Sequence, residues 1–98
     1  MSRCVFAPEA RADLAEIHDY VARDSPDRAV RFVRRLEEHC LRLADHPYTG
    51  AARPDLGPEF RLSAVPRTRY VIIYLPMDDG VEIVLVRHGA RDIRRLFE

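Results

Sequence analysis

A chain of 98 residues that is 47% hydrophobic and 33% charged holds one small domain, and no apolar run in it is long enough to cross a bilayer. Its 16 basic and 16 acidic residues cancel, which excludes a protein whose whole surface coats nucleic acid while leaving room for a local patch. Cys4 and Cys40 are too few for a disulfide framework and stand in no metal-ligand spacing with the four histidines. Both cysteines therefore read as small buried hydrophobes, with no metal site and no cofactor expected. Met1-Ser2-Arg3-Cys4-Val5-Phe6 lacks the apolar core of a secretory signal, so the expected location is the cytoplasm. Every basic residue is Arg and none is Lys, so any recognition surface is built from planar forks that grip carboxylates and phosphates bidentately.

Arg3 to Phe6 reads as a brief first strand, and Pro8 as the first turn of a helix. Ala10, Leu14, Ile17 and Val21 recur at helical spacing, while the early acids Glu9 and Asp13 suit the positive end of the helix dipole. Ser25-Pro26-Asp27 restarts the helix with Ser25 as N-cap. Ala29, Val33, Leu36, Cys40 and Leu43 carry the next stripe, widened by Phe32, until His46-Pro47 stops it. The short link forces a helical hairpin, whose two stripes together cover one face of a sheet.

Gly50, Pro54, Gly57 and Pro58 mark residues 47–59 as a surface connection. Phe60 to Val65 then alternates, with Phe60, Leu62 and Ala64 on one face and Arg61 and Ser63 on a wet one. Pro66-Arg67-Thr68 is turn-like, Arg69 to Leu75 is the central strand candidate, and Met77-Asp78-Asp79-Gly80 turns the chain into a last strand ending at His88. Strict alternation places Ile83, Leu85 and Arg87 on one face and Val84, Val86 and His88 on the other. The fold class is α+β in the order β-α-α-β-β-β, a single domain over residues 1–98. One sheet face lies under the hairpin; the other leaves an apolar patch that marks a polypeptide partner.

The end of the last strand is the most polar strand end in the chain: Arg87, His88, Gly89, Ala90, Arg91 and Asp92 follow one another. Gly89 suffices for a turn, so the flanking charge calls for another reason. Asp92 reads as an orienting partner for Arg91 or a cap for a final turn, with Ile93 and Leu96 or Phe97 folding back on the core. Tyr70 and Tyr74 read as packed aromatics.

With Ala7-Pro8-Glu9-Ala10, Asp13-Leu14, Ser25-Pro26, His46-Pro47, Phe60-Arg61, Tyr70 to Tyr74 and the His88-Gly89-Ala90-Arg91-Asp92 tail in this order, the chain resembles the RelE/ParE toxin superfamily, in particular its ParE-like branch, from Val5 to Leu96. The resemblance implies the toxin of a type II toxin–antitoxin system of the plasmid-stabilisation kind. A ParD-like antitoxin segment would lie over helices and sheet in a toxin–antitoxin complex, with a homodimer or heterotetramer as the assembly. Acids of that segment would pair with Arg61, Arg67 and Arg69. ParE-like toxins are associated with poisoning DNA gyrase, and the residues this implies for target binding are Arg87, His88 and Arg91; no membrane and no sequence-specific DNA binding is implied.

RelE-like relatives instead cut messenger RNA on the ribosome, drawing basic groups from the second and third sheet strands and the tail. At the corresponding positions this chain carries Arg61, Ser63, Val71 and Arg91, so half of the set is lost. Arg is a poor general base, which leaves His88 as the one candidate in this region. The expectation is a non-enzymatic gyrase inhibitor with no catalytic residues; the alternative is a RelE-like endoribonuclease.

Overall fold

The computed structural model describes residues 2–89. Arg3–Phe6 forms β1, Pro8–Ala22 α1, Pro26–Asp45 α2, Ala51–Ala52 β2, Arg61–Ala64 β3, Tyr70–Met77 β4 and Gly80–His88 β5. The strands make one mixed sheet in the order β1-β5-β4-β3-β2. The three-stranded meander is present as β3, β4 and β5, and the chain adds a strand at each edge. β1 pairs parallel with β5, Arg3 beside Gly80 through Phe6 beside Ile83. Two residues of the expected surface connection, Ala51 and Ala52, pair with Leu62 and Arg61. Alanines flanked by Gly50 carry no strand signal, so β2 is a product of tertiary pairing.

Both helices start where the residues dictate. Pro8 and Pro26 occupy first-turn positions, and the Ser25 hydroxyl accepts the Arg28 amide at 3.3 Å. Ala10 of α1 and Ala29 of α2 are both fully buried, so side chains with no bulk lie where the hairpin is covered. Leu14 and Ile17 from α1 and Leu36, Cys40 and Leu43 from α2 meet Ile72, Tyr74, Val81, Ile83 and Val86 of the sheet in one core. Each large aliphatic among them is worth roughly 1.5–3 kcal/mol of apolar burial. Cys40 is buried as expected and Cys4 half-buried. Gly80 holds φ at +155°, and a Cβ there would run into the Arg3 backbone across the β1–β5 pair, so only glycine lets β1 close on β5.

Two face assignments from strict alternation change. Between β4 and β5 the register slips: Ile73 opposes Leu85, but Tyr74 opposes Ile83, leaving Val84 as a bulge. Ile83 therefore lies on the helix side together with Val86 and His88, whereas Leu85 opposes Ile73 on the other side. In β3, Arg61 and Ser63 oppose Tyr74 and Ile72, so the face read as wet is the one turned toward the helices. Leu62, Val71, Ile73, Leu75 and Leu85 instead line the opposite, apolar face, where Val5 remains 36% exposed.

Candidate functional site

Tyr70 starts β4 directly opposite His88, the last residue of β5. Their rings meet edge to face at 5.8 Å, and Phe32 of α2 adds a second edge contact to Tyr70 at 5.7 Å. The N-terminal half of α2, the β3–β4 turn and the end of β5 thus converge on one end of the sheet. The turn is held tightly: Val65 N–H donates to the Tyr70 carbonyl at 3.0 Å, the Thr68 hydroxyl donates to the Val65 carbonyl at 2.9 Å, and Tyr70 N–H donates back to that hydroxyl at 3.0 Å. Arg35 of α2 reaches across to the Pro66 carbonyl at 2.9 Å. At the tip of this turn, exposed Arg67 sits at φ +61°, the left-handed region, with exposed Arg69 two residues on. Gly89 N–H donates to the Arg69 carbonyl at 2.8 Å, which ties the start of the tail to the turn.

The residues expected at the site fall into four groups. Arg67, Arg69 and His88 are brought together at this end. Arg87 is drawn sideways: its Nε lies 3.0 Å from Oδ2 of Asp13, and the same oxygen accepts the Val86 amide at 2.9 Å. The cause is topological. β1 ends at Phe6, so among the described residues β5 beyond Ile83 has no strand neighbour on that edge, and Asp13 supplies the missing acceptor. An acid expected to answer a helix dipole instead caps a sheet edge. Arg91, with Asp92 and the tail residues Ile93, Leu96 and Phe97, lies outside the described residues.

Arg61 is placed further along the sheet, opposite Tyr74 rather than Tyr70, and its guanidinium is committed. Nη1 donates to the carbonyls of Tyr48 at 3.1 Å and Gly50 at 2.6 Å, and the Tyr48 ring lies 4.9 Å from its central carbon. The same segment is pinned from below by Tyr74, whose buried hydroxyl donates to the Pro47 carbonyl at 2.7 Å and accepts the Gly50 amide at 3.0 Å. Burial holds that phenol above its ordinary range. Ser63 is likewise engaged: its hydroxyl lies 2.8 Å from Nε2 of His39 on α2. His39 is pushed below its ordinary value, first by burial and then by Arg42, and its Nδ1 is buried with no hydrogen-bond partner among the described residues.

Sequence reasoning passed over α2 as a source of site residues. Val21, Arg28, Arg31, Phe32 and Arg35 line a groove of about 290 Å³ between the two helices, beside the β3–β4 turn. The signal was present in the i, i+3, i+7 spacing of the arginines, which puts them on one helix face. Among the described residues no group of three or more His, Cys, Asp or Glu side chains is placed to hold a metal, and no helix is long and apolar enough to cross a membrane.

Exposed Arg67 and Arg69 and the edge-packed rings of Phe32, Tyr70 and His88 make up this end of the sheet, and comparison with known proteins shows the family. The model of the ParE toxin of the parDE type II toxin–antitoxin system matches residues 4–93. The chain belongs to the ParE toxin family. Toxin RelE2 of Caulobacter vibrioides is 38% identical over 91 residues, covering 93% of this chain and 99% of that protein. A solved chromosomal ParDE toxin–antitoxin system from P. aeruginosa superposes with a TM-score of 0.75 at 25% identity, over 90% of this chain and 96% of that one. Its α+β fold is thus that of the ParE toxins of type II toxin–antitoxin systems.

Proposed function

We propose that this ParE-family toxin acts by binding DNA gyrase and blocking replication without bond-making chemistry of its own, and that a ParD-like antitoxin silences it. The observation that carries this reading is the commitment of Arg61 and Ser63. Phosphodiester cleavage by a 2′-hydroxyl needs a base, an acid and cations converging on one phosphate. Here the Arg61 guanidinium is spent on two carbonyls and the Tyr48 ring, and the Ser63 hydroxyl is spent on His39. Val71 occupies the opposite face of the neighbouring strand and offers no proton.

The mostly apolar face formed by Leu62, Val71, Leu75 and Leu85, with Glu82 between Leu75 and the edge residue Val5, supports docking of a polypeptide. Under this reading Arg67 and Arg69 pair with antitoxin acids beside that face, with Arg61 bracing the adjoining segment, and Arg87, His88 and Arg91 meet the target.

The kinship with Toxin RelE2 of Caulobacter makes ribosome-dependent RNA cleavage the competing reading, and one experiment separates the two. Purified toxin is added to a gyrase supercoiling reaction and, separately, to translating ribosomes with a labelled message, each with and without antitoxin. Loss of supercoiling that antitoxin restores, with message intact, is the expected result; intact supercoiling with cut message refutes the proposal.

A further inference from the structure

Charge is segregated in this neutral molecule. The first half of α2 carries Arg28, Arg31, Arg34 and Arg35 against a single acid, Asp27, whereas Glu37, Glu38 and Asp45 outnumber Arg42 in its second half, and Asp78, Asp79 and Glu82 cluster at the far end of β5. Arg28 and Arg31 are exposed, and among the described residues neither has a carboxylate partner. Arg35, half-buried, is fixed by its bond to the Pro66 carbonyl, which leads the cationic surface from the helix groove onto the turn that displays Arg67 and Arg69. Successive members on α2 stand about 5–6 Å apart at their Cβ atoms.

From this we infer that the groove lined by Arg28, Arg31 and Arg35 is a phosphate-binding track that holds the phosphodiester backbone of a nucleic acid, without reading its sequence. Guanidinium forks match phosphate oxygens bidentately, and a row of them follows a repeating anion better than it holds a single small one. An amphipathic helix in the same groove would need a run of apolar pockets at i, i+3, i+4 and i+7. The groove offers only Val21 and Phe32, and one edge of Phe32 is taken by Tyr70.

The test is fluorescence anisotropy of the full-length toxin with a labelled 30-nucleotide single strand and a 30-base-pair duplex, titrated at several salt concentrations. Neutralising three phosphates contributes a slope of about −2.7 to log K against log salt on duplex and about −2.1 on a single strand, so the groove alone weakens duplex binding about 40-fold between 50 and 200 mM salt. Arg28→Ala/Arg31→Ala changes two exposed helix positions to a good helix former, and circular dichroism verifies its fold. It is expected to flatten the duplex slope by about 1.8, while Arg3→Ala, at the other end of the sheet beside Asp79, leaves it unchanged. The stronger of the two nucleic-acid arms identifies the form bound. Absence of binding at 50 mM salt, or a slope indifferent to the double substitution, overturns the inference. So does a labelled poly-glutamate that binds as tightly and loses affinity equally in the variant, because the occupant is then an acidic polypeptide. None of these readouts depends on gyrase.

Discussion

Tyr74→Phe deletes a single oxygen, and the structure sets what that oxygen is worth. The ring stays in the core, fully buried between the helices and the sheet, so no cavity opens and apolar burial is retained. What disappears is the bridge from β4 to the segment after α2, namely the bonds to the Pro47 carbonyl and the Gly50 amide. Each hydrogen bond contributes about 1 kcal/mol net, and a buried group left unpaired costs about 1–3 kcal/mol. Gly50 is buried and its amide cannot turn to solvent without freeing the segment, which puts the total near 2–3 kcal/mol. For a domain of this size that lowers Tm by roughly 10–20 °C. Urea unfolding followed by circular dichroism measures it, with an unchanged m value expected because the exposed surface on unfolding is the same. A loss under about 0.5 kcal/mol would show that the hydroxyl does not tether the segment and that β2 and Arg61 are placed by other means. The pH dependence is a second check. Burial raises the phenol in the folded state above its ordinary value of 10.0, so the unfolded chain ionises first, and the stabilisation present below pH 10 is lost as pH rises through the folded value. Tyr74→Phe removes that alkaline component.

Asp13→Ala should cost about 2–3 kcal/mol, because a largely buried carboxylate loses both the Val86 amide and the Arg87 guanidinium. Amide exchange at Val86 is expected to accelerate well beyond that at Ile72, and equal protection in both forms would refute the edge-capping role. His39, held below its ordinary value of 6.5 mainly by burial, predicts the opposite pH sign to Tyr74. Its unfolded ring binds a proton first as pH falls below 6.5, so stability present above that point declines until the folded ring also protonates. Comparing thermal melts at pH 7.5 and 5.0 for the native chain and His39→Gln reads this directly, and an identical decline in both would remove His39 from the account.

The ends of the elements were legible because their signals are local. Pro8 and Pro26 inside the first turns, Ser25 as a cap and Pro47 as a stop act within a few residues of chain. The helix stripes were legible for the same reason, and the meander followed from β-branched runs separated by turn residues. The polar end of β5 also stood out, since Arg87, His88 and Gly89 exceed what a turn needs. The arginines of α2 were passed over because a charged helix face reads as solvated until a sheet end is placed beside it.

By itself the sequence determined the order of elements, the helical hairpin and a core drawn from its apolar stripes, because period and capping are properties of neighbouring residues. Only tertiary structure decided which face of the sheet each side chain occupies, since one bulged residue at Val84 reverses the alternation for the rest of β5. It likewise decided that Asp13 completes an open strand edge, that Arg61 is consumed by the segment after α2, and that Arg28, Arg31 and Arg35 share a groove beside Tyr70. Those outcomes depend on groups far apart in the chain arriving at one place, and spacing along the sequence carries no record of that.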